Sequence, residues 1–187
     1  MKIGAIILAA GEGKRFGGNK LLATIDNTPI IIKTIDSVKF LDRVIIVGKY
    51  YKELLDVLSN EIVIYNPNWR EGISSSIKLG VRFFFDFDGV LVLLGDMPLI
   101  TENTVKKIVS EFKENCYAVI PVHKGTRGNP VLLSRVLYEK IMNLKGDVGA
   151  RMILGELKKE NICEVECGRE VLIDVDTPAD LTLLQHP

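Results

Sequence analysis

Histidine is almost missing from this chain, with two residues in 187, His123 in a basic loop and His186 beside the last position. Both read as surface residues, so no imidazole offers itself as a general base. Cysteine is nearly as scarce. Cys116, Cys163 and Cys167 are too few for a disulfide framework and lack the spacing of a zinc site. Cys163 and Cys167 are expected on one face of a late strand, as core packing or a free thiol. Long apolar runs are absent too. Ile3 to Ala10 and Val90 to Leu94 fall well short of the ~20 residues that a membrane helix requires. No charge excess exists, since Lys plus Arg and Asp plus Glu both number 24. Nothing in that balance asks for nucleic acid or a membrane surface as partner. Met1 and Lys2 lead directly into an apolar strand with no signal-peptide pattern, so the expected compartment is the cytoplasm. There is no repeat, no low-complexity stretch and no linker. Residues 1–187 therefore read as one domain, large enough to bury a substantial core.

What the chain does have stands at its beginning. The uncharged run Ile3 to Ala10 has the character of a central parallel strand buried on both faces. It feeds a loop containing Gly11, Gly13, Gly17 and Gly18 together with Lys14, Arg15 and Lys20. Glycines allow tight or left-handed backbone and close approach to a ligand. Successive amides in such a loop form a concave anion site, to which Arg15 and Lys20 add full charge. The loop is suited to a polyphosphate. It is not a P-loop, because Leu21 follows Lys20 where Ser or Thr is required. It is not a dinucleotide fingerprint either, because Phe16 falls where the third glycine belongs.

The remainder alternates strand and helix. Strands are expected over Arg43 to Gly48, Glu61 to Tyr65, Gly89 to Leu94, Tyr117 to Val122, Ile162 to Glu166 and Val171 to Val175. Between them fall helices. One starts with Thr28 as N-cap and Pro29 as its first residue, another spans Tyr51 to Leu58, and a third follows Ser74-Ser75-Ser76. Thr101, Asp147 and Thr177 are expected as N-caps of later helices. This rhythm predicts an α/β fold, a three-layer Rossmann-like arrangement with a mostly parallel central sheet.

Three hydroxyls before one helix exceed what capping needs, which leaves capping and ligand binding equally open for Ser74 to Ser76. Asp96 ends an apolar strand between Gly95 and Met97-Pro98, where open α/β sheets bind their ligands. Since Thr101 is better placed to cap the next helix, Asp96 is free for a metal. Asp174 and Asp176, two apart, face one side of an extended chain, and two such charges call for a cation or strong donors between them. Cations at one loop and carboxylates from distant segments are the parts of Mg²⁺-assisted phosphoryl or nucleotidyl transfer. A phosphate monoester is mostly dianionic at neutral pH, so the missing base favours a phosphorylated acceptor. Arg127 and Arg151, each near glycines, suggest a second anionic ligand.

The stretch Leu8-Ala9-Ala10-Gly11-x-Gly13-x-Arg15-x-Gly17-x-x-Lys20 resembles the signature loop of nucleotidyltransferases that release pyrophosphate. Further segments appear in matching order: Asn66-Pro67-x-Trp69-x-Glu71-Gly72-x-Ser74-Ser75-Ser76, Gly95-Asp96-x-Pro98, Arg127-Gly128-Asn129-Pro130, Gly146-Asp147-x-Gly149-Ala150-Arg151 and Asp174-x-Asp176-Thr177-Pro178-x-Asp180. Together they resemble the molybdenum cofactor cytidylyltransferases and their guanylyl relatives. The resemblance implies transfer of CMP from CTP to the terminal phosphate of molybdopterin, with Mg²⁺ as cofactor and a molybdoenzyme downstream. It implies catalytic roles for Arg15, Lys20 and Asp96. Nucleotide contacts would come from Leu8, Ala9, Ala10, Gly11, Gly13, Arg15, Lys20, Gly72, Ser76 and Asp96. The metal would fall to Asp96 with Asp174 or Asp176, and the acceptor to Arg127, Asn129 and Arg151. The amino-terminal half would thus bind nucleotide and the carboxyl-terminal half acceptor. The guanylyl relatives read Leu-Ala-Gly-Gly at the first loop. The extra methyl of Ala10 would crowd a purine, which favours CTP. Gly13, Phe16, Met97 and Asn129 depart from the cytidylyl pattern, so a guanylyl or sugar-phosphate transferase and a non-catalytic nucleotide carrier remain as alternatives.

Overall fold

In the computed structural model residues 1–185 are described, with the side chains of Ala150 and Arg151 left out; His186 lies outside the described residues. β1 (Ile3–Ala9) leads through the glycine loop and a 3₁₀ turn to the short strands β2 (Thr24–Ile25) and β3 (Thr28–Pro29) and to α1 (Ile30–Asp36). Next come β4 (Asp42–Val47), α2 (Tyr51–Leu54), β5 (Val63–Tyr65), α3 (Ile73–Phe83) and β6 (Gly89–Leu94). The second half contains α4 (Glu102–Ser110), β7 (Ala118–His123), β8 (Thr126–Arg127), β9 (Val131–Ser134), α5 (Tyr138–Met142), α6 (Ala150–Glu156), β10 (Ile162–Glu166) and α7 (Pro178–Gln185).

The main sheet runs β10-β7-β9-β6-β1-β4-β5, with β8 attached to β7. β1 is parallel to both β4 and β6 and has all seven residues buried, as its uncharged sequence requires. β9 is antiparallel to β6 and β7, so the sheet is mostly parallel. The alternation of side chains along β1 divides the core. Ala5 and Ile7 pack with Ile31 and Ile35 of α1 and Val105 of α4 on one face. Ile6 and Leu8 pack with Ile77 and Val81 of α3 and Ile141 of α5 on the other. Each fully buried Ile or Leu contributes about 1.5–3 kcal/mol of transfer free energy. α3 lies close on β1 because Gly80 has no side chain; a Cβ there would come within 2.5 Å of Ile6.

The topology fixes where a ligand can bind. From β1 the chain moves outward through β4 to β5, then returns over α3 to place β6 on the other side of β1. Strand order reverses between β1 and β6, and a crevice opens beyond their carboxyl ends.

Several local expectations are corrected. Thr28 and Pro29 do not start a helix. Asp26 and Asn27 take positive φ angles of 52° and 60°, which suits a hairpin turn, so Thr28–Pro29 pairs with Thr24–Ile25 and the helix begins at Ile30. The helix from Tyr51 ends at Leu54 and continues as turns. Val171 to Val175 is not a strand: Arg169–Leu172 is a 3₁₀ turn. Its neighbouring backbone groups bond to loops, Asn129 N to Val171 O at 2.9 Å and Val175 N to Asp96 O at 2.9 Å. Asp147 does not cap α6, whose N-cap Gly149 has no side-chain bond. Cys163 is not free; it is disulfide-bonded to Cys116, with Cα atoms 5.7 Å apart. Cys163 and Cys167 do share one face, both packing on the same core cluster. Thr101 and Thr177 cap as expected, each accepting from the amide three residues on. Among the described residues no helix is long and apolar enough to cross a membrane.

Candidate active site

The crevice at the strand reversal holds a cavity of about 970 Å³. Leu8, Ala9, Ala10, Gly11, Gly13, Lys20, Gly72, Ser76 and Asp96 all line it, as does Asp176. Arg15 is not part of the wall but reaches it through Asp176.

The glycine loop closes on itself through Gly13. At φ +61°, Gly13 accepts from Phe16 N and Gly17 N at 3.0 and 3.1 Å, and a Cβ there would sit 2.5 Å from Gly18 O. Lys14, 80% exposed, pairs with Glu12, which also pairs with Lys49. Those two lysines hold the Glu12 carboxyl below its usual range. Tyr50 donates its hydroxyl to Glu12 O at 3.1 Å and so ties the loop to the end of β4.

The 3₁₀ turn Lys20–Leu22 carries Lys20 inward. Its Nζ lies 2.5 Å from Asp96 Oδ2 and 3.0 Å from Asp176 Oδ1. Burial acts to lower the Lys20 pKa, but the two carboxylates outweigh it and hold the ammonium above its ordinary value. Arg15, mostly exposed, meets the other oxygen of Asp176 at 2.8 Å. Asp96 sits at the end of β6, and its Oδ1 is buried with no hydrogen-bond partner. Asp96, Asp174 and Asp176 each present an oxygen within 4.8 Å of the others. Burial, followed by the neighbouring Asp96 and Asp176, pushes the Asp174 carboxyl up. Three carboxylates this close, one of them with an orphaned oxygen, fit a hard, oxygen-seeking cation such as Mg²⁺. Thr177 and Asp180 fix this segment by reciprocal capping: Asp180 Oδ2 accepts from Thr177 N at 2.7 Å and from Asp176 N at 3.1 Å.

The opposite end of the cleft is organised by backbone. Gly72 has φ +101°, and a Cβ there would meet Asp147 N and Gly146 C at 2.5 Å. The 146–147 segment thus lies directly on the start of α3. Asp147 Oδ1 accepts from Ile73 N at 3.2 Å, and Gly146 O accepts from Ser74 Oγ at 2.7 Å. The serine cluster is resolved residue by residue. Ser74 bonds to Gly146, Ser75 donates to Gly72 O at 2.8 Å, and Asn66 Nδ2 bridges Ser75 and Ser76 Oγ at 2.8 and 2.9 Å. Only Ser76 lines the main cavity.

The structure does not bring all the predicted acceptor residues to the cleft. Arg127 is exposed on β8, pairs with Glu164 at 2.7 Å and does not line this cavity. Asn129 is half-buried before the cis bond to Pro130, held through its amide to Val171, and does not line the cavity. The Arg151 side chain lies outside the described residues. Cleft residues to which sequence reasoning gave no ligand role include Tyr50, Trp69, Glu71, Ile73 and Asp147. Trp69 carried a signal: it is the only tryptophan and stands in a polar loop after a strand.

The family described as "MobA-like NTP transferase domain" matches residues 5–161. The molybdenum cofactor cytidylyltransferase of Escherichia coli strain K12 is 29% identical over 185 residues, covering 95% of this chain and 93% of that protein. A probable molybdenum cofactor guanylyltransferase of Thermococcus gammatolerans is 39% identical over 119 residues, covering 60% of this chain and 58% of that protein. A solved nucleotidyl transferase from Methanothermobacter superposes with a TM-score of 0.84 at 22% identity, covering 98% of this chain and 96% of that one.

Proposed function

Because the chain belongs to the family of MobA-like NTP transferase domains and is a nucleotidyltransferase, we propose that it transfers CMP from CTP to the terminal phosphate of a molybdopterin-type cofactor. The observation that carries this reading is the Lys20 ammonium, 2.5 Å from Asp96 and 3.0 Å from Asp176, beside the orphaned Asp96 oxygen. Cations and acids neutralise one another there, and both are matched to what a metal–triphosphate would bring. On binding, Lys20 and Arg15 turn from carboxylates to phosphate oxygens, where their charge opposes the charge that builds on the leaving group. Asp96, Asp174 and Asp176 would hold Mg²⁺, which when bound neutralises phosphate charge.

The acceptor phosphate oxygen forms a bond to the α-phosphorus, and the bond from that phosphorus to the bridging oxygen of the β-phosphate breaks. Inorganic pyrophosphate carries away the electron pair. No proton need be removed from a dianionic acceptor, so this step calls for no general base. The choice of CTP is supported by the methyl of Ala10, a residue of the cavity wall. It lies 2.9 Å from the position a Cβ would take at Gly48.

The test is pyrophosphate release from each common nucleoside triphosphate with purified molybdenum cofactor, with and without Mg²⁺. CTP with Mg²⁺ is expected to dominate. Equal or greater turnover of GTP would reassign the base, and no turnover with any nucleotide would remove the acceptor.

A further inference from the structure

The order of strands sets a ruler across the mouth of the cleft. Asp96 follows β6, the glycine loop follows β1, Gly48 follows β4 and Trp69 lies beyond β5. Neighbouring strands are about 4.8 Å apart, so β5 lies about 14 Å from β6 along the row of strand ends. Phosphates held at β6 and β1 leave the rest of a nucleotide only one direction along this wall, towards β4 and β5. Two aromatic side chains line that direction, Tyr50 and Trp69. The Tyr50 hydroxyl is committed to Glu12 O.

Trp69 is placed by tight packing. A Cβ at Gly48 would lie 2.6 Å from Ala10 O, 2.8 Å from Trp69 Cβ and 2.9 Å from Ala10 Cβ. Ala10 and Trp69, which both line the cavity, therefore pack side by side against Gly48 as one floor, and a side chain at position 48 would break it. The Arg70 guanidinium lies 4.3 Å from the Trp69 ring centroid, which restrains the indole from one side. The ring is half-buried and borders the cavity beside Glu71, Gly72 and Ile73.

Resting on the reading above of Lys20 and Asp96 as the phosphate end, we infer that Trp69 is the side chain that receives the nucleobase. It offers a π surface where a flat, weakly hydrated ring must leave water. Stacking on an aromatic side chain contributes about 1–3 kcal/mol per base. That is sequence-tolerant affinity, so Trp69 would bind bases in general and leave selection among them to its neighbours on the floor, Ala10 first.

Binding of CTP and of inorganic tripolyphosphate, each with Mg²⁺, tests this in the wild type and in Trp69→Ala and Trp69→Phe. CTP is expected to quench the fluorescence of the sole tryptophan, while tripolyphosphate leaves it unchanged. By calorimetry Trp69→Ala should weaken CTP about tenfold and keep tripolyphosphate affinity, with Trp69→Phe restoring most of the loss. If Trp69→Ala binds CTP as the wild type does, the inference fails while the proposed function stands. If the alanine variant loses CTP and tripolyphosphate equally, Trp69 supports the loop and does not touch the base, which also overturns the inference. A wild type that binds neither ligand takes down the proposed function and this inference with it. Should the alanine variant fail to fold, the phenylalanine variant and the wild-type quenching decide.

Discussion

The two ends of the cleft are built from different materials. The Asp96 end is held by charge: Lys20, Arg15 and Asp176 pair across segments up to 161 residues apart in the chain, from Arg15 to Asp176. The Trp69 end is held by shape, with Gly48 and Gly72 admitting neighbouring chain where any side chain would collide. A charge network can exchange partners when a charged ligand arrives, because its Coulomb terms are offset by new ones of similar size. A close-packed wall cannot rearrange cheaply. The comparison suggests a division of labour, with chemistry and phosphate exchange at the polar end and geometric selection of the base at the packed end.

Removing a member of the polar end should have the largest effect. Asp96→Ala deletes the orphaned oxygen and one of the two carboxylates against Lys20. The expected loss is at least ~10²-fold in kcat/KM, read from Mg²⁺-dependent pyrophosphate release, with thermal unfolding still cooperative. Wild-type turnover in this variant would contradict the metal assignment.

Lys20→Ala separates two properties that the wild type couples. The triphosphate loses a buried cation, so KM should rise about 10–100-fold. The acids lose the counter-charge that now occupies them, so Mg²⁺ binding without nucleotide should become tighter. Opposite signs for nucleotide and metal are the signature of partner exchange, and calorimetry with each ligand alone reads them. A variant weaker for both would mean that Lys20 merely supports the fold of the loop.

At the packed end, Gly72→Ala should act through strain. The new methyl would face Asp147 N and Gly146 C at 2.5 Å from a residue with φ +101°. A cost of about 1–3 kcal/mol in unfolding free energy is expected, with weaker CTP binding and little change in Mg²⁺ affinity. A loss of Mg²⁺ affinity as large as the loss of CTP affinity would show that the two ends are not independent.

How much of this was legible beforehand differs in the same way between the two ends. The β1 run, the glycine loop, Lys20 and Asp96 could be read because they rest on local composition: an apolar strand, a tight turn, a charge at a strand end. That Asp174 and Asp176 call for a cation followed from like charge, and the family resemblance joined one of them to Asp96; all three lie together even though Val171 to Val175 is no strand. The packed end was harder, since it depends on contacts between distant backbones. Asp147 read as a cap for the helix that follows it, yet it serves Ile73, 74 residues away. Nor does sequence reveal that Glu164 on β10 stands ready to pair with Arg127. The Asp26-Asn27 hairpin likewise took Thr28 and Pro29 from the helix they were suited to start.

The smallest and most discriminating change is Ala10→Gly, which touches the floor without touching a charge. The Ala10 methyl lies beside the space left by Gly48, and Trp69 Cβ borders that same space. Removing one carbon there relieves part of the crowding a larger base would meet, and one methylene-sized difference in a pocket is worth ~1–3 kcal/mol at most. The preference for CTP over GTP, taken as the ratio of kcat/KM values, should therefore fall up to about tenfold while turnover with CTP changes little. Because a glycine at position 10 also loosens the chain where β1 meets the phosphate loop, the control is tripolyphosphate affinity, which should hold. An unchanged nucleotide ratio with intact tripolyphosphate binding would remove selection from Ala10 and shift it to the polar groups beside Trp69, Glu71 foremost.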